Sequence, residues 1–168
     1  MPNVVVVEDD YFLRVAQLVL DPNASRERYA AFADFFAHDQ PDFDGWCEKV
    51  RRQAGKLYPA GVRLVETQDE LRKNLADADA LIVEGLAVGA DEIAAAPHLK
   101  AVQKYGTDLR RIDGKACAAK GVTVLTIRRR ANIACAEHAL TLMLMLARRV
   151  NELQGRISAE ALAALGYD

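Results

Sequence analysis

From residue 62 to residue 126 the sequence alternates short β-branched runs with short amphipathic stretches, and this rhythm restricts the fold more than any other feature of the chain. Residues 62–65 read as a strand and 68–75 as a helix with Leu71 and Leu75 turned inward. Residues 80–83 form the next strand, and 90–96 a helix stopped by Pro97. The pattern continues with a strand at 99–103, a helix at 112–120 ended by Gly121, and a strand at 122–126. Val4, Val5, Val6 and Val7 add a strand at the start, with the continuous apolar character of one buried on both faces. Strands alternating with helices predict an α/β fold: a parallel sheet with helices on both faces. Ligands of such sheets bind beyond the carboxyl ends of the strands. The candidate site loops are therefore residues 84–89, 104–111 and 127–132.

After the first strand Asp21-Pro22-Asn23 breaks the chain, and a helix starts near Ser25 with Tyr29, Phe32 and Phe36 on one stripe. Asp39-Gln40-Pro41 ends that helix. A second amphipathic pattern places Phe43, Trp46, Cys47, Val50 and Leu57 on one side and Glu48, Lys49, Arg51 and Arg52 on the other.

Residues 127–150 have a different character. Arg128, Arg129 and Arg130 lead into Asn132, a candidate N-cap, and then into a run of alanine, leucine and methionine closed by Arg148 and Arg149. A helix apolar on every side must be covered on every side. This run is shorter than the roughly 20 apolar residues that span a bilayer. It is expected to lie between domains or between subunits.

The 51% hydrophobic content supports a full core, and a net charge of −2 argues against a general nucleic-acid surface. Cys47, Cys117 and Cys135 are an odd set without paired spacing, expected as free thiols of a cytoplasmic protein. The N-terminus is too acidic for a signal peptide. There is no GxGxxG, GxxxxGK, CxxC, HExxH or GxSxG, and no metal site is expected. His38 and His98 lie at expected helix ends and read as capping groups. The opening VVVVEDDYFLR resembles a bacterial receiver domain only in its first residues. That fold also needs an aspartate after the third strand, where Glu84 and Gly85 stand, and a lysine after the fifth, where none follows.

The second half carries a more extensive likeness. HLKAVQKYGT, then ID, then AAKGVTV, and Ala136-Glu137-His138-Ala139-Leu140 in a Leu/Met helix ending in Ala147-Arg148-Arg149, resemble the D-isomer-specific 2-hydroxyacid dehydrogenases, the phosphoglycerate dehydrogenase type included. The resemblance runs over residues 78–150, and residues 1–77 match in outline, with a helical insertion around 42–57. It implies a flavodoxin-like substrate-binding domain at 1–127. Residues 128–168 would then hold a crossover and dimerisation helix (133–150) and the start of a Rossmann cofactor domain for NAD or NADP, with the family's last segment returning to the first domain. It implies an oxidoreductase moving hydride between a D-2-hydroxy acid and a 2-keto acid, acting as a cytoplasmic homodimer, with neither nucleic acid nor membrane as partner. An NAD-sensing corepressor or a free-standing small-molecule binding module is the non-enzymatic alternative.

In the family the GxGxxG and the catalytic arginine, glutamate and histidine lie beyond the crossover helix. The chain thus reads as the N-terminal portion of a longer enzyme, inactive alone and with no catalytic residue of its own. His138 belongs to the helix motif. In relatives the loop after the fourth strand holds the substrate carboxylate on backbone N–H groups, and a threonine there approaches the cofactor. The resemblance accordingly assigns Gly106 and Asp108 to substrate and Thr107 to cofactor. Asp108 replaces the usual second glycine and needs a cation beside it. Gly85 stands in the loop after the third strand, where relatives often carry an arginine or serine. Arg128, Arg129 and Arg130 replace Pro-Gly-Gly and are expected to supply the missing cation to substrate, to cofactor, or to Asp108 and Glu84.

Overall fold

Five parallel strands, β1 (Asn3–Glu8), β2 (Ala60–Val65), β3 (Ala80–Val83), β4 (Ala101–Lys104) and β5 (Thr123–Thr126), form one sheet in the order β2-β1-β3-β4-β5. This is the order in the computed structural model, which describes residues 3–129, 131–150, 158–164 and 166. The order is that of a flavodoxin-like doubly wound fold, and the switch point falls between β1 and β3.

Alternation along the strands divides the core. Val6, Leu81, Val83 and Val102 face α4 (Gln68–Lys73), α5 (Ala90–Ala95) and α6 (Gly114–Ala119), meeting Leu71, Ile93 and Cys117. Val5, Val7 and Val62 face α1 (Val15–Leu20), α2 (Arg26–Phe36) and α3 (Phe43–Ala54). Both faces of β1 are therefore buried, which is why its sequence is an unbroken valine run.

Several helices begin on the residue types that favour a cap. Ser25, Asp42, Thr67 and Asp113 each accept a backbone N–H of the first turn. Asp113 sets the start of α6 two residues later than the expected 112, and Gly121, at φ 72°, follows its end. Strand β4 is shifted from the expected 99–103 to 101–104, which makes Lys104 its last residue. Helix α1 carries no sequence start signal and was not expected. Its apolar run is held instead by Arg51 of α3, which donates to the Val19 and Leu18 carbonyls at 3.0 and 3.1 Å, to Glu48 at 2.8 Å, and lies over the Tyr58 ring.

These bonds satisfy the carbonyls that a helix leaves open at its C-terminus. Replacing Arg51 with methionine keeps the stem but leaves both carbonyls without their donor, and is expected to cost about 2 kcal/mol. The urea midpoint followed by the fluorescence of Trp46, the only tryptophan, measures this. A midpoint equal to that of the wild type would refute it.

The chain clusters into two compact units, residues 1–127 and 128–168. The second holds α7 (Ala131–Ala147) and α8 (Ala159–Ala164). Helix α7 starts at Ala131, so Asn132 sits inside its first turn and not at the cap. Alanine, the best helix former, extends the helix by a residue. Ile133, Leu140, Leu142, Met143, Leu144 and Leu146 of α7 are all exposed. No helix among the described residues is long and apolar enough to cross a membrane.

Candidate functional site

The carboxyl ends of β3 and β4 lie side by side, with Val83 paired to Lys104. Beyond them opens a cavity of about 540 Å³ lined by Glu84, Gly85, Lys104, Asp108, Arg110 and Arg111. All six come from the loops following β3 and β4 or from the strand end itself. Lys104 is 7% exposed, and its ammonium donates to the Glu84 carbonyl, bridging the two strand ends. Arg111 donates to the Gly85 carbonyl at 3.0 Å and ties the two loops together.

The first wall is organised by β1. Its last residue, Glu8, accepts the N–H groups of Glu84 (2.7 Å), Gly85 (2.8 and 2.9 Å) and Leu86 (3.0 Å) on its carboxylate. Gly85 thus lines the cavity as expected for a site residue, but its N–H is bonded to Glu8.

The second wall is the loop after β4. Gly106 is buried, with φ 133°, a conformation that glycine alone adopts readily. It donates to the Lys104 carbonyl at 3.0 Å and accepts from the Ile127 N–H at 3.2 Å, so it shapes the loop without lining the cavity. Thr107 and Asp108 are exposed. Asp108 meets the cation it needs two residues on: Arg110 Nε lies 2.9 Å from both of its oxygens and Nη2 lies 2.6 Å from one. The Arg110 guanidinium and backbone N–H hold the Asp108 carboxyl well below the usual carboxylate range. Arg110 is thus a cation already bonded to Asp108, alongside the three arginines from Arg128 that the sequence offered for that part. Arg128 and Arg129 belong to the second unit, and Arg130 lies outside the described residues.

Four residues of this arrangement escape a reading of the sequence alone. Arg110 and Arg111 fall in the expected loop 104–111 but look like surface charges. Lys104 closes an apolar strand, and a one-residue shift of the strand end decides whether it points inward. Glu8 contributes through a strand adjacent only in space. The signal for it is a charged residue directly after a buried valine run, at the end where ligands bind.

A dinucleotide does not fit this sheet. The first strand-to-helix turn, where such folds place glycines against the pyrophosphate, is Glu8-Asp9-Asp10. Asp9 pairs with Arg14 and Asp10 accepts the Phe12 N–H, and these carboxylates would repel a phosphate. No group of His, Cys, Asp and Glu able to hold a metal ion occurs among the described residues.

The fold is a flavodoxin-like sheet with a charged cavity past the ends of β3 and β4. The chain belongs to the D-isomer specific 2-hydroxyacid dehydrogenases, and the model of that family's catalytic domain matches residues 48–166. The chain is 37% identical over 101 residues to the D-3-phosphoglycerate dehydrogenase of Mycobacterium leprae, covering 58% of this chain and 19% of that protein. It is 35% identical over 85 residues to the D-3-phosphoglycerate dehydrogenase of Methanocaldococcus jannaschii, covering 50% and 16%. The chain thus spans about a fifth of the length of the curated relatives it matches. The NAD-dependent formate dehydrogenase of Staphylococcus aureus, solved with NAD, shares the fold at a TM-score of 0.52 and 17% identity, covering 97% of this chain and 44% of that one.

Proposed function

We propose that this chain forms the substrate-carboxylate side of an NAD(P)-dependent oxidoreductase acting on a D-2-hydroxy acid and its 2-keto acid. The observation that carries the reading is the buried Lys104 ammonium at the base of a cavity whose other cations are Arg110 and Arg111. A carboxylate entering there meets Lys104 and the exposed turn at Thr107 and Asp108. Asp108 does not oppose it with a full charge, because Arg110 pairs with it. The family membership and the D-3-phosphoglycerate dehydrogenases among the relatives support the substrate class. The nicotinamide, bound elsewhere, supplies the hydride chemistry. The residues of this chain bind and orient the acid. In this reading Thr107 faces the cofactor, and Arg128, Arg129 and Arg130 join anion recognition in the whole protein.

The test is a spectrophotometric assay of the gene's full product with NADH or NADPH and a panel of 2-keto acids. Oxidation of the dinucleotide that depends on a 2-keto acid is expected. Tight NAD binding with no turnover of any acid would replace the enzyme by a sensor.

We further infer that a second copy covers α7, which is apolar on all sides and begins the second unit. Sedimentation velocity is expected to give a dimer that Leu142→Lys with Leu146→Lys dissociates. A monomeric wild type would contradict this. Free thiols at Cys47, Cys117 and Cys135 support a cytoplasmic location, which fractionation of the source cells would check against an exported pool.

A further inference from the structure

We infer that Glu8 is a built-in carboxylate that fills an anion cradle in the wall of the site, and so determines where a ligand's own carboxylate sits. Three consecutive backbone N–H groups, those of Glu84, Gly85 and Leu86, converge on its two oxygens at 2.7–3.0 Å. Successive N–H groups turned to one point make an anion-binding concavity. This one lies between the ends of β1 and β3, where the strand order reverses and where ligands of doubly wound sheets bind. The chain closes it with its own side chain. Gly85 leaves the room: a Cβ built there lies 3.1 Å from a Glu8 oxygen, tighter than ordinary contact.

The cavity is polarised as a result. Its β3 wall presents Glu84 and Gly85, whose N–H groups are already bonded to Glu8, and its β4 side presents Lys104, Arg111 and the Arg110–Asp108 pair. An external carboxylate at the β3 wall would have to displace Glu8 and face Glu84. It is directed instead to the β4 side, and the part of the ligand against β3 must be uncharged or a hydrogen-bond donor. Glu8 is thus a specificity-determining residue that rejects a second carboxylate at that wall. Only this last step rests on the function proposed above; the cradle itself rests on geometry.

Amide NMR of the nitrogen-labelled full chain tests the cradle, with acetate as the probe. In Glu8→Ala the resonances of Glu84, Gly85 and Leu86 are expected to move from their wild-type positions. Millimolar acetate is expected to return them saturably, whereas chloride at equal ionic strength does not. In the wild type the same three amides are expected not to respond to acetate. Acetate-insensitive amides in Glu8→Ala, or wild-type amides that titrate equally, would overturn the inference. If Glu8→Ala does not fold, Glu8→Gln serves, since its amide keeps one oxygen for the N–H groups but removes the negative charge and the second acceptor. Unchanged amides at all three positions in Glu8→Gln would overturn it too. The outcome separates from that of the functional reading: a 2-hydroxy acid that fails to shift residues 106–111 leaves the acetate result standing.

Discussion

Replacing Lys104 with methionine is expected to weaken binding of a 2-hydroxy acid at least about thirtyfold while leaving the fold intact, a loss of about 2 kcal/mol. Methionine matches the lysine stem in length and apolar character, so the buried part of the side chain stays filled. What disappears is the ammonium. Among the described residues its acceptors are the Glu84 and Tyr105 carbonyls, and no carboxylate is bonded to it, so its charge is available to a ligand. A cation held out of bulk water attracts an anion far more strongly than an exposed one does. Arg110, by contrast, is exposed and already paired with Asp108, and its removal should matter less. Isothermal titration with D-lactate or D-glycerate measures the change. An affinity within about threefold of wild type, less than 1 kcal/mol, would place the anion grip elsewhere.

Replacing Glu92 with alanine is expected to give the largest loss of stability at a polar position, about 2–3 kcal/mol. Its side chain is 5% exposed and accepts from Arg72 (2.8 Å), Gln68 (2.9 Å) and the Gly89 N–H (2.9 Å). Without it, the part-buried Gly89 N–H loses its acceptor, the Gln68 amide keeps only the Ala87 carbonyl, and α4 loses its tie to α5. Arg72 is half exposed, so the ion pair itself contributes only a fraction of the total.

The same carboxylate makes stability depend on pH. Burial pushes the Glu92 carboxyl up, but the Gly89 N–H, the Arg72 guanidinium and the Gln68 amide together outweigh burial and hold it below its usual 4.5. Asp79 is lowered from 3.8 by Lys100 and the Val4 N–H. Both folded values lie below the unfolded ones, so the unfolded chain takes up protons first. Their stabilisation is therefore complete above the unfolded values of 4.5 and 3.8 and is lost as the pH falls through the lower folded values. Urea midpoints between neutral pH and about pH 3 are expected to decline less steeply in Glu92→Gln than in the wild type. Parallel profiles would exclude Glu92 as a source of the acid sensitivity.

The fold was open to reading because its strands are short β-branched runs and its helices start on Ser, Asp and Thr caps, both of which are local signals. Helix α1 lacked such a signal, since its end is satisfied by Arg51 from more than thirty residues away. The site was readable at the level of loops but not of side chains. Residues 84–89 and 104–111 follow from strand order alone, and Gly85 and Asp108 do line the cavity. Gly106 keeps its place through its positive φ. That Arg110 is a partner of Asp108 depends on how a turn folds back on itself. The clasp of Glu8 depends on strand adjacency. Neither distance is written in residue spacing.

In the function proposed above, the cavity between the β3 and β4 loops holds the carboxylate of a 2-hydroxy acid. Titrating the labelled chain with D-glycerate while following every amide tests it most directly. Saturable shifts are expected at Thr107, Asp108 and Arg111, with Glu84, Gly85 and Leu86 still bonded to Glu8 and nearly unmoved, and with a midpoint at least about thirtyfold higher in Lys104→Met. Saturable shifts confined to other parts of the sheet, or an identical response in Lys104→Met, would contradict it.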